Sequence, residues 1–130
     1  MATVLVVEDN DDVREMMAVA LELGGGHVAR TAANGLEALA RLHEGPRPAV
    51  ILADLMMPMM SGWELRAVLR EDPEFREIPF VIVSAVMMEG IEAVGRARSL
   101  SKPVDIDAML RLVDDVTAEH GELSGPGSLP

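Results

Sequence analysis

The chain has 130 residues, 49% of them apolar, no cysteine and a formal net charge of -11; that is enough for one domain around one core, and it rules out disulfides, thiol catalysis and cysteine-based metal sites. So acidic a balance argues against direct binding to nucleic acid or to an anionic membrane surface, since both need basic patches. No apolar run approaches the ~20 residues of a membrane span, and the N-terminus leads straight into a strand pattern, so a cytoplasmic domain without a signal peptide is expected.

Val4 to Val7 is a continuous apolar run that reads as a buried strand, ending in Glu8-Asp9-Asn10-Asp11-Asp12. Val13, Met16, Met17, Ala20 and Leu21 follow at helical spacing until Gly24-Gly25-Gly26 stops the helix. His27 to Ala32 is a weaker strand, Asn34-Gly35 a turn signal, and Leu36, Leu39, Ala40 and Leu42 mark a second helix. Gly45-Pro46-Arg47-Pro48 leads into Ala49 to Ala53, an apolar run that ends on one carboxylate, Asp54, before Pro58 and Gly62 force a turn. Ser61 can cap a third helix through Leu65, Val68 and Leu69, ending near Asp72-Pro73. Phe80 to Val83 is the next strand and ends in Ser84-Ala85. Met87 to Arg98 has patchy helical periodicity interrupted by Gly90 and Gly95, and Ser99 to Ser101 is a short strand ended by Lys102-Pro103. Asp105 or Asp107 starts a last helix through Ile106, Met109, Leu110, Val113 and Val116. The domain is expected to span residues 1–118, leaving 119–130 as a flexible tail of Gly, Ser and Pro with little to bury.

Strand and helix alternate five times. The pattern predicts an α/β domain: a flavodoxin-like, doubly wound, five-stranded parallel sheet of order 2-1-3-4-5 with helices on both faces. Glu8 and Asp9, Asp54, Ser84 and Lys102 then stand at the carboxyl ends of four strands, along one edge of the sheet. Taken singly, each has a plainer reading. Glu8-Asp9 suits an acidic helix start, Lys102 an ordinary surface position, and Ser84 a strand-end hydroxyl bonded to nearby backbone. Together they are a site. Hard oxygen ligands without His or Cys suit Mg²⁺, the lysine is a point charge facing an anion, and the serine is a hydroxyl donor. A carboxylate so surrounded can attack phosphorus and form an acyl phosphate. No Gly-rich phosphate loop is present, so the expected donor is a phosphorylated side chain of another protein rather than ATP.

Val-Glu-Asp-Asn at 7–10, Asp-Leu-Met-Met-Pro-Met-Met-Ser-Gly at 54–62, Val-Ser-Ala at 83–85 and Lys-Pro at 102–103 together resemble the response-regulator receiver domain of two-component signalling, chemotaxis-regulator-like, over residues 3–118. The resemblance implies a phosphoacceptor signalling switch and not an enzyme. It implies that Asp54 takes a phosphoryl group from a histidine kinase or a histidine phosphotransfer protein, and that Ser84 and Lys102 bind the phosphoryl oxygens. By the same match Mg²⁺ is held by Asp9, Asp54 and the backbone carbonyl of Met56, with Glu8 acting through water. None of His27, His43 and His120 matches the donor, which acts in trans. The output is an interaction with a downstream protein through the 85–101 face, as a monomer or as a dimer formed on phosphorylation.

The chain departs from the family in places. Met56, where the family often has a polar side chain, and Val86 are apolar; both would border the path of the hydrolytic water and so lengthen the life of phospho-Asp54. The family's switch position, three residues before the lysine and usually aromatic, is Ser99, and the chain has no tyrosine. Rotamer switching of a buried aromatic is therefore not expected, and Ser84 with residues 85–99, a segment shorter than usual, would move as a unit. Met56, Met57, Met59, Met60, Met87 and Met88 flank the site, as gap-filling packing or as an adaptable docking surface. Two rival readings are a pseudo-receiver that is never phosphorylated, which the intact residue set opposes, and an Asp-nucleophile phosphatase of the haloacid-dehalogenase type. The latter chemistry wants a second acid where Met56 stands.

Overall fold

A computed structural model of the chain describes residues 2–85 and 98–124. The elements run β1 (Thr3–Val7), α1 (Asp11–Val19), a π-helical turn (Ala20–Gly24), β2 (Val28–Ala32), α2 (Gly35–Glu44), β3 (Val50–Asp54), α3 (Gly62–Arg70), β4 (Phe80–Ser84), β5 (Arg98–Ser101) and α4 (Ile106–Ser124). The five strands pair in parallel in the order β2-β1-β3-β4-β5, a flavodoxin-like sheet as the alternation predicts.

Side-chain alternation along the strands divides the core into two layers. Val4, Val6, Val50, Leu52, Val81 and Val83 face α1 and α4, meeting Met17, Leu21, Met109, Val113 and Val116. Leu5, Val7, Ile51 and Ala53 face the other way, onto Ala38 and Leu42 of α2 and Leu65 and Leu69 of α3. Burial on both faces is why β1, β3 and β4 read as unbroken apolar runs.

The helix starts follow from local chemistry. Asn10 caps α1, accepting from the Val13 N–H at 2.9 Å, and Asn34 caps α2, accepting from the Glu37 N–H at 2.9 Å. Ser61 and Glu64 form a reciprocal capping box at the start of α3. Asp105 caps α4 through the Ala108 N–H at 2.9 Å.

Two expectations need correction. α1 ends at Val19, and one π-helical turn carries the chain to Gly24; where it ends, the Leu21 carbonyl accepts from Gly25 N–H (3.2 Å) and His27 N–H (3.0 Å). The last helix continues to Ser124, past the predicted tail boundary at 118. Extending a formed helix adds one hydrogen bond per residue fixed, and Ala118 and Glu119 are good helix formers. The periodic segment at Met87–Ala97, with Val86, and residues 125–130 lie outside the described residues. Among the described residues, no helix is long and apolar enough to cross a membrane.

Gly62 sets the position of α3 against the sheet. A Cβ on it would lie 2.5 Å from the Asp54 carbonyl oxygen and 3.1 Å from the Leu55 Cα, both backbone atoms that cannot swing aside. We expect Gly62→Ala to cost about 1–3 kcal/mol, as overpacking does, seen as a fall in Tm. An unchanged Tm would show that the loop after β3 absorbs the extra methyl.

Candidate functional site

The carboxyl ends of β1, β3, β4 and β5 meet on one rim, and the parallel register decides what stands there. Val7 lies beside Ala53, Asp54 beside Val83, and Ser84 beside Ser101. The ladder continues one step beyond β5, where the Lys102 N–H donates to the Ser84 carbonyl at 3.0 Å. The sequence-predicted residues Glu8, Asp9, Asp54, Ser84 and Lys102 are thereby brought to one place.

Glu8 is buried and fixed from four sides. Its N–H donates to the Ala32 carbonyl at 3.0 Å. Its carbonyl accepts from Arg14 Nη1 at 2.8 Å, and its Oε2 accepts from the Asn10 N–H at 3.0 Å. Lys102 Nζ stands 2.8 Å from Glu8 Oε1 and 3.2 Å from Asp54 Oδ2. Asp54 is buried, and its Oδ1 receives a long bond from the Met56 N–H at 3.4 Å. Ser84 is buried on the same rim, whereas Asp9 and Met56 are exposed.

The electrostatics follow. Burial, reinforced by the Asp54 charge, raises the Glu8 pKa above the usual carboxylate range, although Lys102 and the Asn10 N–H pull it down. Burial works against the charge on Lys102, but the two carboxylates outweigh it and hold the pKa of the ammonium above its ordinary value.

One carboxylate oxygen from each of Glu8, Asp9 and Asp54 can be chosen so that all three lie within 4.8 Å of one another. The set fits a hard divalent cation that keeps part of its water shell. Glu8 Oε1 supports the fit: it is buried, and its contact with Lys102 is ionic, without a directed hydrogen bond, so it retains acceptor capacity.

A family model for the response regulator receiver domain matches residues 4–114. The chain belongs to the response-regulator receiver family. Among curated proteins, the receiver domain is 36% identical over 117 residues to the polar-differentiation response regulator DivK of Brucella anthropi, covering 85% of this chain and 92% of that one. It is 34% identical over 130 residues to the response regulator Rre1 of Synechocystis, covering 97% of this chain but only about half, 56%, of that one. Among solved structures it resembles the chemotaxis response regulator CheY4 of Vibrio cholerae, with a TM-score of 0.80, 32% identity, and coverage of 89% and 98% of the two chains.

Two residues that position the receiver's rim escape sequence reasoning. Asn10 serves both as helix cap and as N–H donor to Glu8, and only the first role has a sequence signal. Arg14 ties the Glu8 carbonyl to Asp11 Oδ1, at 2.6 Å from the latter, and no motif marks it.

Lys102 is the cation that lets Glu8 and Asp54 share the rim, so Lys102→Met is expected to cost about 2–3 kcal/mol near neutral pH without divalent ions. The pH dependence has a definite sign. Glu8 already has a raised folded-state pKa, so its contribution to stability is full below the ordinary carboxylate value and is lost as pH rises through the raised one. Removing Lys102 removes a lowering influence and widens that window. The destabilisation relative to wild type should shrink between about pH 7 and about pH 5; equal losses in urea melts at both values would contradict this.

Proposed function

We propose that the domain is a phosphoacceptor switch in which Asp54 receives a phosphoryl group from a histidine kinase or a histidine phosphotransfer protein. The observation that carries the reading is the placement of one ammonium, Lys102 Nζ, between the buried carboxylates of Glu8 and Asp54 on the ligand-binding rim of the sheet. An Asp54 oxygen attacks phosphorus, the P–N bond of the donor breaks, and its electron pair returns to the departing imidazole. A carboxylate nucleophile needs no general base. Lys102, held cationic by its two partners, moves from the carboxylate to the incoming oxygens, and the Ser84 hydroxyl donates to another. Asp9, Asp54 and the backbone carbonyl of Met56 would hold Mg²⁺, with Glu8 acting through water. When bound, the ion neutralises charge on the transferring oxygens.

The output would pass through the 85–101 face to a downstream protein, as a monomer or as a dimer formed on phosphorylation, in a cytoplasmic setting. Of that face the structure describes Ala85 and β5, where Arg98, Ser99 and Ser101 are exposed. Serine at 99 has no ring to turn inward, which supports a shift of backbone anchored at Ser84.

Acetyl phosphate with Mg²⁺ should label the protein once per chain, and Asp54→Asn should abolish the label. Trp63, packed on Leu55 and Ile82 one residue after Gly62, should report beryllofluoride binding by a change in emission. An intact mass that never gains a phosphate would favour the pseudo-receiver, and continuous release of phosphate a phosphatase.

Met56, 68% exposed, places an apolar side chain two residues after Asp54. Met56→Asn should hasten hydrolysis of phospho-Asp54 by giving the attacking water a hydrogen-bond partner. A rate equal to wild type would remove that role.

A further inference from the structure

The outermost strand, β2, carries contacts that the phosphoacceptor rim does not use. The Val28 N–H donates to the Ala2 carbonyl and the Glu8 N–H to the Ala32 carbonyl, so the backbone of residues 28, 30 and 32 faces β1. The N–H and C=O of one strand residue point the same way, and the direction alternates along the strand. Those of Ala29, Thr31 and Ala33 therefore point outward, where a further strand could bond.

Side chains stand where that strand would lie. Glu22 Oε2 accepts from the Ala29 N–H at 3.3 Å, Arg41 Nε donates to the Thr31 carbonyl at 3.0 Å, and Glu37 Oε1 accepts from the Ala33 N–H at 3.1 Å. Glu22 comes from the π-helical turn, and Glu37 and Arg41 from α2. Arg41 is braced in turn by Glu44 Oε1, 3.2 Å from its Nη1. Bonds to charged groups are the stronger ones, and charged side chains along an edge keep other chains from pairing with it. Between these guards the Ala29 carbonyl and the Thr31 N–H have no partner among the described residues.

The pattern fits one occupant, a second copy of this chain. About a two-fold axis at Arg30, the Thr31 N–H of each copy would meet the Ala29 carbonyl of the other, and the Ala29 N–H would meet the Thr31 carbonyl. The first pairing is open in both copies, and the second is taken by Glu22 and Arg41. The same axis sets Arg30 directly opposite its own symmetry mate, a like-charge pair that opposes the register. We propose that β2 is a masked self-pairing edge: Glu22 and Arg41 occupy the backbone groups, and Arg30 supplies the repulsion, that keep two copies from joining their sheets through this strand.

The test uses the full, unphosphorylated chain in EDTA, followed by sedimentation velocity and backbone amide exchange. Wild type should not associate through β2 up to the order of 1 mM, and its Thr31 amide should exchange faster than those of Ala29 and Ala33. Glu22→Ala, Arg30→Thr and Arg41→Ala together should lower the dimer Kd about tenfold or more and protect the Thr31 amide in step with dimer formation. Adding Thr31→Pro, which removes that N–H at an edge position where proline is tolerated, should return the chain to monomer. Should the triple variant disturb folding, Glu22→Ala with Arg30→Thr carries the comparison. None of these residues belongs to the Asp54 cluster, so the result is independent of the phosphoacceptor reading. The proposal is overturned by a triple variant as monomeric as wild type, by association that leaves the Thr31 amide unprotected, by a dimer that survives Thr31→Pro, or by a wild-type Thr31 amide as protected as that of Ala33.

Discussion

One ammonium group holds the rim of this receiver domain together. Two buried carboxylates share it, and Lys102 Nζ, 2.8 Å from one and 3.2 Å from the other, balances their charge. Its position depends on the shortest strand in the sheet. β5 has four residues, of which only Leu100 is buried. A slip of one residue would turn Leu100 out to solvent and carry Lys102 away from both carboxylates. The burial of one leucine on the core side therefore fixes where a charge stands on the rim, and the Lys102 N–H to Ser84 carbonyl bond closes the register.

The rest of the rim is held with similar economy. The two helix layers bury β3 entirely and most of β1 and β4, which holds the ends of these strands in place. Two of the loops that leave the rim are then pinned at once. Asn10 and Arg14 fix the loop after β1 around Glu8, and the close approach of Gly62 to the Asp54 carbonyl, with the capping box of Ser61 and Glu64, fixes the loop after β3. Between those anchors Met59 takes a left-handed conformation with φ 70°, one that side chains larger than glycine adopt at a cost.

The sequence made the sheet legible because strands buried on both faces must be apolar throughout, as Val4–Val7, Val50–Ala53 and Phe80–Val83 are. It made the candidate site legible because polar residues end four strands on one edge of a parallel sheet, although each alone has a plainer reading. What escaped it were interactions without a period. The π-helical turn at Ala20–Gly24 has no period of its own in the sequence, and three consecutive glycines read only as a stop. His27, whose Nδ1 accepts from the Ala2 N–H and whose Nε2 lies 3.1 Å from Asp114, ties elements 87 positions apart, a pairing no local pattern announces. The end of α4 is hidden for another reason: composition after residue 118 describes what the chain can bury, whereas a helix already formed needs little burial to extend.

The choice of cation on the rim has its own logic. The chain contains ten arginines and a single lysine, and that lysine is residue 102. Arginine would be the better partner for a permanent pair, since its fork binds both oxygens of a carboxylate and holds them. A fork locked onto Glu8 or Asp54 would have to release two bonds before it could meet a third group. The ammonium of lysine is a compact charge with three rotatable donors on a flexible stem, and here it already divides itself between two carboxylates. It can exchange one oxygen for another without losing its remaining partner. Arginine is used where the structure needs clamps, as Arg14 grips Glu8 and Asp11 and Arg41 reaches the Thr31 carbonyl and Glu44. The sole lysine stands where one charge is shared between two carboxylates.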